Sequence, residues 1–456
     1  MVTRLGSSFR PRRLLWTVHR WLGLASGAVV FVVGLTGAMY AFAPEITDLY
    51  LSRHARVSPP SGARPLSASA LVERGEAAAA RALAAHPSGT RRWLTLSAEP
   101  DRSAVYTVAP AGSSAWYEVY VDPYRGEVLL VRDMQWDPLG VILHAHQTLL
   151  LPSAIGQRVI GVAVLVFVPL LLTGLALWFP RRPGNLRRPG ALRQRLTIDL
   201  RGRFFRVTYD LHRVLGAYAL VVALILALSG LVWSFAWMDR AMYWIATGGG
   251  TPGAPTEWRS GIPGRAVGGP AVLDRALDVA THAFPGFARL DVALPDGPSD
   301  ALAVCATPAD GTSYRTECLW FDRYTAGQIG AERYRDKNAG ERLKAMNYDI
   351  HVGRIAGLPG RLAACAASLA VATLPITGAL LWWNRPRASR GRRTAGGPAT
   401  VESSRRTASW PCTGRRSRST GGSRIPSGSS ITRASWRGST TPSTSCSGSS
   451  ATRSST

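Results

Sequence analysis

The stretch Trp21–Ala43, WLGLASGAVVFVVGLTGAMYAFA, runs 23 residues without a charge directly behind His19-Arg20. A helix needs about 20 apolar residues to cross the hydrocarbon core of a bilayer. Only a helix or a closed barrel satisfies its own backbone groups there. Further apolar runs follow at 159–179, 214–238 and 362–383. A single run of this kind is compatible with a buried core helix. Four in one chain of 456 residues predict an α-helical integral membrane protein with four transmembrane helices, and exclude a plain soluble protein. The first run has a signal-peptide flavour, with Arg residues before it and Ala41-Phe42-Ala43 at its end. It is longer than the usual apolar stretch of about 7–15 residues. Pro44 would also sit just behind the cut, so the run reads as an uncleaved anchor.

The chain has 54 Lys+Arg against 28 Asp+Glu, a net charge of +26. That excess would ordinarily suggest nucleic acid or an anionic surface. With 46% hydrophobic residues gathered into long runs, no nucleic-acid partner is expected, and the lipid bilayer is the partner instead. Only Lys337 and Lys344 are lysines, an Arg bias typical of a GC-rich bacterial genome. The arginines cluster before the first run (Arg4, Arg10, Arg12, Arg13, Arg20), between the second and third (Arg181 to Arg213), and after the fourth (Arg385 to Arg393). The positive-inside rule puts 1–20, 180–213 and 384–456 on the cytoplasmic side. Both termini are then cytoplasmic, and 44–158 and 239–360 lie outside. The expected location is a bacterial inner (cytoplasmic) membrane. From about Ala388 the chain is Ser/Thr/Gly/Arg-rich and cannot bury a core. It reads as a disordered tail or, given the abrupt change in composition, as a segment out of reading frame.

Internal matches divide the rest in two. His19-Arg20-Trp21-Leu22-Gly23 recurs as His212-Arg213-Val214-Leu215-Gly216, and at the same offset of 193 Leu35-Thr36-Gly37 recurs as Leu228-Ser229-Gly230. Thr173-Gly174 recurs as Thr377-Gly378, and Val121-Asp122-Pro123-Tyr124 as Phe321-Asp322-Arg323-Tyr324. Two tandem copies of helix, outer lobe and helix are predicted, related by an axis along the membrane normal. Each lobe reads as α+β. The first has a helix at 68–85 and strands at 92–96, 104–108, 116–121 and 127–131; the second has a helix at 272–283 and strands near 291–293, 301–305, 314–321 and 328–332. Neither has a Ser-His-Asp set, a phosphate-cradling loop or paired carboxylates in context, so no hydrolase is expected. Five cysteines are too few for a disulfide scaffold. Cys305 and Cys318 lie on adjacent strands outside the membrane and are expected to bridge; Cys365, Cys412 and Cys446 are expected to stay reduced.

The eight histidines carry the functional argument. His54, His86 and His282 read as surface residues of the lobes. His19 and His212 stand at the inner ends of the first and third spans. His144, His146 and His351 precede the second and fourth at the outer end. Ionisable groups in a membrane are costly and tend to mark function. One ion cannot be shared between the two faces of a membrane, but two separate bis-His sites can form, which is what two b-type haems need. Arg20 and Arg213 follow the inner pair and suit haem propionates. Gly23, Gly27, Gly216 and Gly230 offer flat helix surface.

These motifs, with Asp122-Pro123-Tyr124-Arg125-Gly126, His146-Gln147-Thr148-Leu149 and His351 followed by Gly357-Leu358-Pro359-Gly360, resemble the PepSY-associated transmembrane proteins over about residues 14–387. That family includes iron-regulated inner-membrane proteins and di-haem ferric-siderophore reductases. The resemblance implies PepSY-like extracytoplasmic lobes and spans that carry haem. Its pattern favours His146 as the outer ligand, whereas an ungapped match of Leu151-Pro152 to Leu358-Pro359 favours His144; both stay open. The expected function is a membrane oxidoreductase with two haem b. Electrons would enter at His19 and His212 and pass to the outer site of His146 (or His144) and His351. They would then reduce a periplasmic oxidant, a ferric siderophore, in iron uptake. The donor would be a separate reductase or quinol. The alternative is a haem-free PepSY membrane protein that binds peptides or regulates an envelope protease.

Overall fold

The computed structural model describes residues 11–384 apart from 83–90, 111–115, 181, 255 and 262–268. The tail expected to be disordered or out of frame, His86, Cys412 and Cys446 lie outside the described residues. In chain order the helices are α1 (Pro11–Tyr40), α2 (Ala43–Tyr50), α3 (Ser52–Ala55), α4 (Ala68–Ala82), α5 (Pro138–Thr148), α6 (Ser153–Trp178), α7 (Ala191–Leu196), α8 (Phe204–Ser234), α9 (Ala236–Thr247), α10 (Pro270–Ala283), α11 (Ala339–His351) and α12 (Gly357–Trp383). Strands β1 (Arg91–Ser97), β2 (Ala104–Ala109), β3 (Tyr117–Val121) and β4 (Val128–Asp133) lie between α4 and α5. Strands β5 (Phe287–Leu294), β6 (Leu302–Pro308), β7 (Glu317–Phe321) and β8 (Gln328–Glu332) lie between α10 and α11.

Among the described residues four helices are long and apolar enough to cross a membrane: α1, α6, α8, and α12 with the short turn before it. Their bounds differ from the apolar runs for local reasons. Pro44, in the first turn of α2, has no N–H to continue the ladder of α1. Phe235 takes extended backbone (φ −139°, ψ 119°), so α8 stops before the apolar run does and α9 restarts behind it. The spans form a ring in which α1 and α8 each pack on both α6 and α12 and stand at opposite corners. Arg12, at the start of α1, donates to Leu177 O (2.6 Å) and Phe179 O (2.9 Å) at the end of α6. Arg361, at the start of α12, donates to Ala41 O (2.9 Å) beyond the end of α1. Neighbours in the ring therefore run antiparallel, and both long connections leave from one end. Mid-bundle, Val30, Phe167, Leu171, Ala219, Ala223, Ala227, Ala367 and Val371 close an apolar layer. The alanines let the helices approach closely, as membrane packing requires.

The two long connections were expected to carry separate sheets. Instead their strands form one eight-stranded antiparallel sheet in the order β4-β3-β2-β1-β5-β6-β7-β8. β1 and β5 pair from Arg92↔Leu294 to Ser97↔Arg289, which removes two edges that would otherwise expose unpaired backbone groups. Strand alternation sends Leu94, Tyr106, Val119, Leu290, Val292, Val304 and Phe321 to one face. There they form a single core with residues of α4 and α10. Ser69 in the first turn of α4 donates to both carboxylate oxygens of Asp274 on α10, through N (2.9 Å) and Oγ (2.6 Å). The two DPYR/DRYT turns are matched Asx turns: Asp122 Oδ1 accepts from Tyr124 N (2.8 Å) and Asp322 Oδ1 from Tyr324 N (2.9 Å). Strand β5 begins four residues before the expected 291, and the strand expected at 314–321 is shorter. There Tyr314 N donates to Asp349 Oδ2 (2.9 Å) on α11, outside the ladder, and β7 begins only at Glu317.

Cys305 and Cys318 stand directly opposite each other on β6 and β7 and are joined by a disulfide, while Cys365 is free. With the cysteines 13 positions apart, replacing both by Ser is expected to cost about 3 kcal/mol. Thermal unfolding of the purified protein checks this, and an unchanged midpoint would show that the bridge does not stabilise the fold.

Candidate functional site: two facing histidine pairs

His146 and His351 sit on short helices whose starts are fixed by caps. Asp137 caps α5, accepting from Leu139 N and Gly140 N, with Pro138 in the first turn. The same carboxylate holds Arg132 Nη2 at 2.6 Å and Tyr50 OH at 2.9 Å, with the side chains of Arg132 and Asp137 only 6% and 2% exposed. α11 starts with a capping box between Asn338 and Glu341, and Asn338 Nδ2 donates to Tyr243 OH (2.9 Å) on α9. So held, α5 and α11 present His146 and His351 in their last turns.

The structure brings the histidines together in two pairs. His19 on α1 faces His212 on α8 with ring centroids 6.3 Å apart and planes crossing at 88°. His146 faces His351 with centroids 6.2 Å apart and planes at 60°. His144, two residues back on the helix, packs elsewhere, buried and edge-on against Trp116 at 5.7 Å. His54 and His282 also stand outside the pairs. His19 lies 17 residues before Thr36, which touches His146, so the pairs are separated by about 25 Å along α1. Burial drives the His351 imidazole down to about 4, and the neighbouring His146 adds to the effect. Burial lowers His146 in the same direction. Burial thus favours the neutral form of both rings, the state in which an imidazole can ligate a metal.

Around the inner pair, the two opposite corners of the bundle leave a cavity of about 350 Å³. Gly23, Gly27, Gly174, Gly216 and Gly378 line it. A Cβ added at Gly23 would meet nothing nearer than Leu170 at 3.9 Å, and at Gly216 nothing nearer than Leu374 at 3.7 Å, so both glycines leave open space. Gly230, expected to do the same, packs instead against the His351 ring. Arg20 and Arg213 also line the cavity. Arg20 lies between the rings of Trp16 and Trp21, at 4.6 and 4.8 Å. Arg213 is partly engaged, donating to Asp210 Oδ1 (2.8 Å) and Gln194 O (2.6 Å). Yet the Nε of each is buried without a hydrogen-bond partner, so a polar group from a bound molecule has two donors waiting. Among the described residues no group of three or more His, Cys, Asp or Glu converges. Each pair thus offers two nitrogens, short of the four ligands a protein-only zinc-type site needs.

A family model described as the PepSY-associated TM region matches residues 16–385. The chain belongs to the PepSY-associated TM family. No curated protein matches it. In this PepSY-associated TM protein, sequence reasoning passed over the hydroxyls beside the rings: Thr36, Thr173, Ser229 and Thr377 each contact the Nδ1 of one paired histidine. Their signal was already visible as a Ser/Thr-Gly dipeptide in every span, but their partners lie on other helices. Sequence reasoning also missed Asp137, which anchors the helix bearing His146. Asp137→Ala would remove a cap and leave the buried Arg132 with Glu118 as its remaining carboxylate partner, costing about 2 kcal/mol. A thermal midpoint equal to that of the parent protein would show that Asp137 does not hold α5.

Proposed function

We propose that each histidine pair holds the iron of a b-type haem and that the protein carries electrons across the membrane. The observation that carries this reading is the spacing. An imidazole–metal bond is about 2 Å and a ring nitrogen lies about 1 Å from its ring centre, so two imidazoles on opposite sides of one metal have centroids about 6 Å apart. The pairs stand at 6.3 and 6.2 Å. Two imidazoles alone also match a planar macrocycle that brings its own four equatorial nitrogens. Haem supplies one-electron redox chemistry. The rest is done by the chain: His19 with His212 and His146 with His351 would hold the iron, and Arg20 and Arg213 would receive propionates through their unpartnered Nε atoms. The apolar layer of Val30, Phe167, Ala223 and Val371 excludes water between the two sites.

The same reading takes the chain as two tandem copies with PepSY-like lobes on the periplasmic side of the inner membrane and both termini in the cytoplasm. The His19–His212 pair would hold the group that takes electrons from an inner donor, a separate reductase or quinol, and the His146–His351 pair the group that would pass them to the oxidant. The oxidant class we favour is a ferric siderophore, because hard oxygen chelators hold Fe(II) far more weakly than Fe(III), and reduction releases the metal. His144 has no ligand role here. A pyridine-haemochrome assay on the purified protein tests the reading. Two haems per chain are expected. One should remain in His19→Ala, His212→Ala, His146→Ala or His351→Ala, and two in His144→Ala. A chain without haem would overturn the reading and favour the haem-free peptide-binding alternative.

A further inference from the structure

Each spanning helix carries one Ser/Thr-Gly dipeptide against a histidine of another helix. Thr36-Gly37 on α1 meets His146, Thr173-Gly174 on α6 meets His19, Ser229-Gly230 on α8 meets His351, and Thr377-Gly378 on α12 meets His212. In each case the hydroxyl oxygen lies near the ring Nδ1, at 3.2, 2.9, 2.9 and 2.9 Å in that order. In each case the glycine lies against the ring's Cε1: an added Cβ would stand 3.0 Å from it at Gly37, 3.3 Å at Gly174, 3.2 Å at Gly230 and 3.5 Å at Gly378. The arrangement occurs four times, once per span, with no exception.

Proton accounting assigns the direction of these hydrogen bonds. A hydroxyl has one proton to give and two lone pairs to offer. Thr36 Oγ1 gives its proton to Val32 O (2.6 Å), Thr173 to Leu170 O (3.1 Å), Ser229 to Ile225 O (2.8 Å) and Thr377 to Thr373 O (2.9 Å). These are back-bonds to the preceding turn of their own helices. With that proton committed, each oxygen can only accept from the imidazole. At His146 the carbonyl of Val33 lies 3.1 Å from the same Nδ1 and can likewise only accept. Each paired histidine therefore carries its proton on Nδ1 and keeps Nε2 as its one nitrogen with a lone pair.

We propose that the four Ser/Thr-Gly dipeptides are positioning elements for both histidine pairs. The hydroxyl, joined at His146 by the Val33 carbonyl, fixes the Nδ1–H tautomer and the rotation of the ring, and the glycine lets the ring come close enough for that bond to form. A methyl at Gly37, Gly174 or Gly230 would be tighter against the ring than an ordinary van der Waals contact and would push it off the hydroxyl. The Nδ1–H···O bond also raises the basicity of Nε2, so it strengthens the nitrogen offered to a metal. What is held between the rings rests on the proposed function above; the tautomer and the rotation are properties of the chain itself.

The test uses Thr173→Val, which keeps the shape of the side chain and loses the hydroxyl, with Thr173→Ser as the conservative rescue and Gly174→Ala as the steric probe. Nitrogen-15 NMR of histidine-labelled protein, produced without haem supply, reads the tautomer directly. The parent and Thr173→Ser proteins should show His19 as a single Nδ1–H tautomer, and Thr173→Val a mixture. Haem titration should then show inner-site affinity falling roughly 10–100-fold in Thr173→Val and in Gly174→Ala, with recovery in Thr173→Ser. The reduction potential of the inner centre should shift and that of the outer centre stay put. Ser229→Ala should give the converse pattern at His351, which guards against a fault of one variant's folding. Unchanged tautomer populations in both Thr173→Val and Ser229→Ala would overturn the proposal. A parent protein that shows the tautomers but takes up no haem would leave the dipeptide seats standing and remove the electron-transfer reading instead.

Discussion

A neutral imidazole buried in an apolar helix bundle still owns one N–H, and leaving that donor unmet would cost roughly 1–3 kcal/mol. The bundle meets this demand four times with a hydroxyl whose own proton is committed to its helix. Much of the architecture follows from that requirement. The hydroxyl must come from a neighbouring helix, so the rings lock α1 to α6 and α8 to α12 at one end of the bundle. The glycine after each hydroxyl is needed because the ring edge lies where a Cβ would be. Diagonal placement of α1 and α8 lets two such rings face each other over a cavity, which direct packing of those helices would fill.

The outer pair depends on more than the bundle. His146 and His351 belong to α5 and α11, helices too short to hold a position alone. The extramembrane part fixes them. Arg132 on β4 reaches Asp137 at the head of α5, and the turn before β7 lies against α11 through Tyr314 N and Asp349. A single continuous sheet suits this task better than two independent ones. It joins β4 and β7, and with them the two ring-bearing helices, in one sheet through the β1–β5 ladder, where Thr95 Oγ1 also donates to Asp291 Oδ1.

The spans were legible because an uncharged run of 23 residues such as Trp21–Ala43 has few other homes. Most strands were legible from alternation, and the Cys305–Cys318 bridge from the hairpin between them. The joining of the sheets was not, since β1 and β5 are brought together across about two hundred residues and nothing local marks the pairing. The choice between His144 and His146 also failed to resolve in the sequence, for a definable reason. Leu358 lies seven positions after His351, but Leu151 only five after His146. The shorter connection turns through Leu149 and Leu150 at φ 56° and 60°, whereas the longer one uses Gly353 and Gly357 at φ 76° and 62°. An ungapped match across that difference slides the histidine by two positions and so turns it to the other side of α5. The dipeptides themselves were visible, but their role was not, because hydroxyl and ring are 110 to 165 residues apart.

The central claim is that a metal is gripped between two imidazoles in each pair. The most direct measurement is low-temperature EPR of the oxidised, purified protein. Two distinct low-spin ferric signals are predicted, the more anisotropic one from the inner pair, whose rings cross at 88° against 60° outside. A spectrum containing only high-spin iron, or no haem iron at all, would contradict the account.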